Sequence, residues 1–295
     1  MISSQVDIEN VTNGLPKYIH KQLTQMVSPE NAIKIAKYIK NQKTEVNLSD
    51  NYRKSVVTCL ITLSRYFTNK SFNQLTRSDI INYLGSLQKS EDIDPVHKWI
   101  GTYNLRRQLF LKFFKWLYYH TEEASKRQIP DVMRDIPSLK RKEQSIYKPD
   151  DLWSPEDDHI FLKYCPDKRI QCYHFIARDT SARPSEILKL RVREINFKLA
   201  GDKVYAEISV NGKTGSRIIP LFNSIPFIKD WLNNHPQPGN ANAYLIPSSN
   251  RATFCRKMGE NSLNRIYHRY KTNLFPRLLD DENIPIEDKN KIREL

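Results

Sequence analysis

The sequence predicts a mainly α-helical fold with a small antiparallel β-sheet, divided between two domains. Apolar residues recur at helical spacing over most of the first 120 residues, whereas residues 203–221 alternate apolar and polar side chains around an Asn-Gly pair. The chain has 295 residues and 39% apolar side chains, which is enough to fill two cores of ordinary size. We therefore expect a helical N-terminal domain followed by a domain that combines helices with a small sheet.

The charge balance indicates a polyanionic partner. Lys and Arg number 47 against 33 Asp and Glu, which gives a formal net charge of +14. Residues 1–150 carry 24 basic and 15 acidic side chains and the remainder is also basic, so the excess belongs to the folded body. No apolar run approaches the ~18 residues of a membrane span, and the N-terminus does not have the pattern of a signal peptide. We expect a cytoplasmic protein with no membrane partner.

Four segments of the N-terminal half have helical periodicity. We assign residues 28–125 to one helical domain that follows an N-terminal extension, residues 1–27. Ser28-Pro29 and the Thr76 to Asp79 stretch have the residue types that begin helices. The predicted helices are Ser28–Ile39, Asp50–Phe67, Thr76–Leu87 and Trp99–Tyr119.

The last of these helices combines a thick apolar face with four basic residues, Arg106, Arg107, Lys112 and Lys115. One interpretation is a core helix whose charges are simply solvated. The other is a helix whose charges contact a phosphate backbone. The net charge of the chain favours the second interpretation, and we predict that these four residues bind DNA.

Residues 126–150 change character and mark the boundary between the domains. Three prolines interrupt the helical periodicity, and basic residues outnumber acidic ones. An extended basic connector suits the wrapping of a duplex, with Lys140, Arg141 and Lys142 as candidate phosphate contacts, although a solvated linker would have much the same composition. The second domain then covers residues 151–295.

The second domain contains an arginine at the predicted start of a helix. Ser154 to Asp157 has the pattern of a capping box and predicts the first helix of this domain. Further along, Arg183 precedes Pro184, and proline is favoured at the first position of a helix. A helix that begins at Pro184 would present its dipole and free backbone N–H groups beside Arg183, and all three favour an anion.

The alternating stretch beyond this helix predicts a β-hairpin. Asn211-Gly212 supplies the turn chemistry, so Lys213 lies at or next to the tip. A lone lysine at such a place is more often a solubilising charge that protects a strand edge. Lys213 becomes a candidate site residue only in combination with Arg183, thirty residues earlier.

The cysteines do not indicate a metal site or a disulfide. They form no CxxC pair and no histidine stands at zinc-ligand spacing from them, so we predict buried thiols and no metal. They are Cys59, Cys165, Cys172 and Cys255.

Two motifs together resemble those of the tyrosine recombinase (phage integrase) family. The first is Thr180-Ser-Ala-Arg-Pro-Ser-Glu-Ile-Leu-Lys-Leu190, and the second is Asn211-Gly-Lys-Thr-Gly-Ser-Arg-Ile-Ile-Pro-Leu221. The resemblance implies that Arg183 is the first catalytic arginine, that Lys213 is the hairpin lysine, and that Arg217 is the arginine that trails it, where we expect a DNA contact. It also implies a SAM-like core-binding domain over the predicted N-terminal helices and an α+β catalytic domain after the linker.

What the resemblance implies about chemistry is strand cleavage and rejoining in duplex DNA. In the family a tyrosine attacks the scissile phosphate to form a 3′-phosphotyrosine link, and the hairpin lysine protonates the departing 5′-hydroxyl. This chemistry requires no metal or cofactor. Members of the family act on DNA as tetrameric synapses and belong to mobile genetic elements. The resemblance therefore implies a protein that is associated with the nucleoid. The segment from Tyr267 to Leu295 looks most like the archaeal branch.

The sequence departs from the family pattern after the hairpin. None of its seven histidines is followed at the third position by Arg, and the nearest approach, His268-Arg-Tyr-Lys271, ends in Lys. Tyr267 and Tyr270 have helical spacing with apolar neighbours, which favours packing over a role as nucleophile. We therefore expect residues 151–295 to be an incomplete catalytic domain that lacks the second arginine, the histidines and the tyrosine, and we expect these 295 residues to be inactive in cleavage.

Three classes of function remain open. The first is a DNA recombinase or integrase of which this chain holds part of the active site. The second is a catalytically inactive DNA-binding protein derived from a recombinase. The third is an unrelated basic protein that binds RNA or acts in transcription, although this would leave the paired Arg183 and Lys213 motifs as coincidence.

Overall fold

The computed structural model describes residues 8–46, 48–141, 152–212 and 215–295, which form two compact units, Met1–Tyr147 and Lys148–Leu295. Helices dominate both units, and the second also contains a three-stranded antiparallel sheet. The predicted fold class, mainly α with a small antiparallel β-sheet, is therefore confirmed. Every helix in these ranges is too short or too polar to span a lipid bilayer.

The first unit is helical throughout its regular structure. The four predicted helices are present, Trp99–Tyr119 with the predicted ends and the others with at least one end shifted. Helical residues 8–12 and a further helix precede them. Ile19 and Leu23 of this extra helix are fully buried with the others, so part of the segment 1–27 packs into the same core. The helices are α1 (Lys17–Gln25), α2 (Pro29–Val46), α3 (Asp50–Tyr66), α4 (Arg77–Gly85) and α5 (Trp99–Tyr119).

Aromatic side chains from α2 and α5 fill the centre of this core. The ring of Phe113 packs edge-to-face on Tyr38 at 5.3 Å and on Phe72 at 4.9 Å between centroids, the arrangement that aromatic quadrupoles prefer. All three side chains are fully buried. The apolar face of α5 is therefore a structural face, and only its other side is available to a partner.

The first part of the predicted linker also packs onto the first unit. Val132, Met133 and Ile136 are buried in its core, and the buried guanidinium of Arg127 forms an ion pair at 2.6 Å with Glu45, which is partly exposed. A buried cation needs such a partner, since an unpaired charge in the core would be strongly destabilising. Residues 142–151 lie outside the described residues.

The second unit surrounds its sheet with short helices. Its helices are α6 (Pro155–Tyr164), α7 (Lys168–Thr180), α8 (Pro184–Ile187), α9 (Ile225–Asn233), α10 (Glu260–Arg269), α11 (Phe275–Asp280) and α12 (Ile286–Glu294). The predicted capping box is present at α6, where Ser154 Oγ accepts from the N–H of Asp157 at 3.1 Å and Asp157 Oδ2 accepts from the N–H of Ser154 at 2.8 Å.

The sheet is a meander in the order β1 (Ile195–Ala200), β2 (Lys203–Gly212) and β3 (Gly215–Leu221). One face packs on the core through Ala206, Ile208 and Val210 of β2, which are buried. Because a slip of one residue would turn this apolar set to solvent, the pattern fixes the register.

The hairpin turn lies further along the chain than the Asn-Gly pair suggests. Asn211 pairs with Ser216, and Gly212 pairs with Gly215, so Asn211 and Gly212 are the last residues of β2. The expectation that this pair forms the turn is therefore wrong, because pairing of the strands continues through it. Lys213, the predicted residue of the tip, lies outside the described residues.

Candidate functional site

Arg183 stands immediately before helix α8, as Pro184 predicts. Its backbone is extended, with φ −64° and ψ 146°, and its carbonyl accepts from the N–H of Glu186 at 2.8 Å. The helix ends after four residues at Ile187, which is shorter than expected, and the following Leu188 and Leu190 are buried in the core. A single turn has little dipole, so the charge at this place comes from side chains and not from the helix N-terminus.

The carboxylate of Glu186 is the partner of Arg183. Arg183 Nη1 lies 3.2 Å from Glu186 Oε1, and the backbone N–H of Arg183 donates to Oε2 at 3.2 Å. The guanidinium of Arg217 on β3 donates to the same Oε2 at 2.8 Å. Two cations from different elements therefore meet on one carboxylate. We call these three residues the Arg183–Glu186–Arg217 cluster.

Glu186 is buried and ionised in this cluster. Only 2% of its side chain is exposed. Burial alone would raise the pKa of this carboxyl, but the hydrogen bonds from the Arg183 N–H and from both guanidiniums outweigh it and hold the pKa below its usual value. The buried charge is thus compensated by the arginines.

The end of strand β2 packs directly against this carboxylate. A Cβ atom on Gly212 would lie 1.8 Å from Glu186 Oε1 and 2.8 Å from Cδ, which no side chain could accommodate without a shift. Gly212 is therefore required by the close approach of the hairpin to Glu186. The residue that follows it in the chain is Lys213.

A second contact fixes β3 relative to the segment that carries Arg183. The carboxylate of Asp179, at the end of α7, accepts from the N–H groups of Phe222 and Ser224 at 3.0 and 2.9 Å and from the hydroxyl of Ser224 at 2.8 Å. It also accepts from the side-chain amide of Asn223 at 3.0 Å. These bonds attach the turn after β3 to Asp179, which lies four residues before Arg183 in the chain.

Sequence reasoning missed Glu186, Gly212 and Asp179 as residues of this site. Glu186 was visible in principle, because an acid three residues after an N-terminal arginine faces the same side of a helical turn. The sequence pattern identifies Gly212 only as a turn residue. Nothing local in the sequence indicates that Asp179 meets residues 222–224.

Tyr267 and Tyr270 are packing residues, as predicted. The hydroxyl of Tyr267 lies 3.2 Å from His174 Nδ1, and the thiol of Cys165 donates to the hydroxyl of Tyr270 at 3.9 Å. Both rings pack against the core, and Phe161 stacks on Tyr267 at 5.6 Å. Burial raises the pKa of both hydroxyls far above the usual value for tyrosine.

The basic residues of α5 have partners within the first unit. Arg106 donates to the hydroxyl of Tyr83 and lies over its ring at 5.4 Å, and Arg107 Nε donates to the carbonyl of Ile136 at 2.6 Å. Their contact with DNA stays a prediction, as does that of Lys112 and Lys115.

The linker cations are only partly described. Lys140 and Arg141 are exposed, and Lys142 lies outside the described residues. In the described ranges no cluster of His, Cys, Asp and Glu is arranged to hold a metal ion. The four cysteines are free thiols; Cys59, Cys165 and Cys172 are buried as predicted, whereas Cys255 is only half-buried, so the prediction of burial is wrong for that residue.

No protein-family model matches the chain, and no curated protein matches it. Solved structures do. The Tn1549 transposon integrase in complex with circular intermediate DNA is 14% identical over 88% of this chain and 84% of that chain, with a TM-score of 0.51. A variant of that integrase in a second such complex is 13% identical over 88% and 90%, with a TM-score of 0.52. The XerH site-specific recombinase bound to difH substrate is 14% identical over 97% and 93%, with a TM-score of 0.47. The chain therefore shares the fold of the Tn1549 integrase.

Proposed function

We propose that this chain has the DNA-binding and phosphate-binding parts of a site-specific DNA recombinase or integrase of the tyrosine class, without a tyrosine that is suitably placed as the nucleophile. The observation that carries the proposal is the convergence of Arg183, Arg217 and the closed end of the β2–β3 hairpin on the carboxylate of Glu186. Residues of both family-like motifs thus meet at one point, as the handling of a single phosphate requires. The fold shared with the Tn1549 integrase, whose structures are of complexes with circular intermediate DNA, supports the same proposal.

The chemistry assigned to the site is phosphoryl transfer without a cofactor. Arg183 stabilises the negative charge that grows on the oxygens of the phosphate as the nucleophile attacks. Lys213 follows Gly212, whose backbone lies against Glu186, and serves as the general acid for the departing 5′-hydroxyl, a role suited to an ammonium on a flexible stem. Glu186 orients Arg183 for this task.

Both units contribute to DNA binding in this proposal. The excess of basic side chains occurs in both halves of the sequence, with candidate contacts on α5 and in the linker. We propose that the units hold one duplex as a clamp and that several copies assemble on DNA, as the family does, in the service of a mobile element at the nucleoid.

A catalytically inactive DNA-binding protein is the second candidate, and one observation favours it. Tyr267 and Tyr270 follow the hairpin in sequence, but their hydroxyls are engaged inside the second unit by His174 and Cys165. Both rings are half-buried against the core of that unit, which favours packing over a role as nucleophile. On this proposal residues 1–295 bind DNA through the same cluster and do not cut it.

The salt dependence of DNA affinity tests the proposed function. The dissociation constant for a mixed-sequence duplex would be measured by fluorescence anisotropy at several salt concentrations. Each phosphate contact contributes a slope of about −0.9 to log K against log salt, so a clamp with on the order of six contacts should lose about a thousandfold in affinity between 50 and 200 mM salt. A slope that corresponds to a single contact would contradict DNA binding by both units.

A further inference from the structure

Arg183 and Arg217 share one carboxylate, which leaves most of their donors unused. Each guanidinium reaches Glu186 through one terminal nitrogen, Nη1 of Arg183 at 3.2 Å and Nη2 of Arg217 at 2.8 Å. A guanidinium carries five N–H donors in a fixed plane. Within the described part of the chain, no other group accepts a hydrogen bond from either guanidinium.

The unused donors face solvent. The side chain of Arg183 is 59% exposed and that of Arg217 is 38% exposed, whereas that of Glu186 is 2% exposed. The carboxylate thus lies beneath the two cations and leaves their outer edges open. The cluster carries one negative and two positive charges, so it has an excess charge of +1.

We propose that Arg217 is a second phosphate ligand of the Arg183 site, so that both guanidiniums hold the same DNA phosphate above Glu186. This inference rests on the proposed function. Because both guanidiniums meet on one carboxylate, their remaining donors lie close enough together to serve two oxygens of one phosphate group. The charge also matches, since a phosphodiester carries −1 and the cluster +1.

A purely structural role for Arg217 explains less of the geometry. Arg183 already supplies one positive charge to Glu186, so neutralisation of that carboxylate does not need a second cation. Arg217 projects from β3 at the position opposite Val210 and reaches across to α8 with more than a third of its side chain exposed. A side chain that served packing alone would be covered.

The proposal is tested by the number of phosphate contacts that each substitution removes. DNA affinity would be measured against salt for Arg183→Met, Arg217→Met and the double variant, with Lys198→Met as the control. Lys198 pairs with Glu207 on the opposite face of the same sheet, so this control removes one charge without touching the cluster. We expect Arg217→Met to weaken binding about tenfold at low salt, the scale of one charge-assisted hydrogen bond, and the control to match the wild type.

The double variant distinguishes one shared phosphate from two separate ones. If both arginines hold the same phosphate, removal of both should make the slope of log K against log salt less steep by about 0.9, and a single substitution should change it by less than that. A change of about 1.8 in the double variant would mean that the arginines bind separate phosphates and would overturn the proposal. An equal loss for Lys198→Met would mean that total charge alone matters, which would also overturn it.

Arg217→Lys separates a phosphate contact from a contribution to folding. Lysine keeps the charge but cannot form the planar fork, so we expect the slope of the wild type with affinity reduced severalfold and an unchanged far-ultraviolet circular dichroism spectrum. Affinity equal to that of the wild type in both Arg217→Lys and Arg217→Met would refute the role of Arg217. A wild-type protein that binds no duplex would instead refute the proposed function itself.

Discussion

Asp179 and Ser224 are joined by two hydrogen bonds to one carboxylate oxygen, from the Ser224 N–H at 2.9 Å and from its hydroxyl at 2.8 Å. Ser224 is fully buried, and it immediately precedes α9. The pair therefore holds the end of the hairpin segment against the end of α7, close in sequence to Arg183.

Substitution of Asp179 by Ala should destabilise the second unit. The N–H and the hydroxyl of the buried Ser224 would lose their acceptor, and a buried donor without a partner costs about 1–3 kcal/mol. Urea unfolding followed by circular dichroism would measure the change. Asp230→Ala is a matched control, because the Asp230 carboxylate makes only exposed contacts, with Lys168 and Asn234, and should contribute less than about 1 kcal/mol. Equal losses in the two variants would contradict the assigned role of Asp179.

Substitution of Gly212 by Ala should disturb the Arg183–Glu186–Arg217 cluster. The new methyl group would overlap Glu186 Oε1, and such overpacking costs about 1–3 kcal/mol. Gly259→Ala is the control, since a Cβ there meets nothing within 4 Å. The loss from Gly212→Ala should shrink when Glu186 is also replaced by Ala, which a double-mutant cycle of unfolding free energies would detect. Strict additivity would mean that the two residues do not meet.

The contribution of Glu186 to stability should depend on pH in the acid range. Its pKa in the folded protein lies below the ordinary value of 4.5, so its ionised form adds stability that is present above about pH 4.5 and lost as the pH falls through the folded value. Unfolding of wild type and of Glu186→Gln would be compared from pH 7 down to pH 3. We expect the difference between them to shrink on acidification. A difference that is constant with pH would show that the carboxylate does not titrate as assigned.

Residues 1–295 should form no covalent adduct with a nicked suicide substrate, because neither Tyr267 nor Tyr270 is placed as the nucleophile. The hydroxyls of Tyr267 and Tyr270 have partners in the second unit, and burial raises the pKa of both above the usual value for tyrosine. Denaturing gel electrophoresis would reveal an adduct. Tyr267→Phe should leave DNA affinity unchanged. An adduct that Tyr267→Phe or Tyr270→Phe abolishes would identify that residue as the nucleophile and contradict the packing assignment.

Limited trypsin digestion should cut the linker at its C-terminal side only. Arg127 is buried in its ion pair with Glu45, and the residues that follow it pack on the first unit, so cleavage there is prevented. Lys140 and Arg141 are exposed and should be cut first. Mass spectrometry of the fragments would locate the sites. Early cleavage after Arg127 would show that this segment does not pack as described.

The features that sequence predicts well are those decided by neighbouring residues. The capping boxes at Thr76 and Ser154 and the proline at position 184 each begin a helix, because a side chain there serves backbone groups only a few residues away. The fold class follows from the same local patterns. The length of α8 does not, and the Leu188 and Leu190 that follow it are buried in a core that the rest of the chain supplies.

The centre of the candidate site depends on distant partners and could only be predicted in part. Arg183 is identified by its place before Pro184. Arg217, which binds the same Glu186 carboxylate, lies 31 residues beyond Glu186 in the sequence. Gly212 has the appearance of a turn residue, yet its lack of a side chain is required by space and not by the turn. Such requirements come from packing between elements, which one sequence does not display.

Because Glu186 binds both guanidiniums in the free protein, the two arginines lose their rotamer freedom when the chain folds and not when it meets DNA. An arginine side chain has about 2 kcal/mol of such freedom, and ordering it on binding would reduce affinity by a similar amount. A phosphate would therefore encounter two side chains whose orientation is already set. The buried carboxylate of Glu186 therefore preorganises the two arginines. Its removal should slow productive association with DNA even though the net positive charge of the site rises.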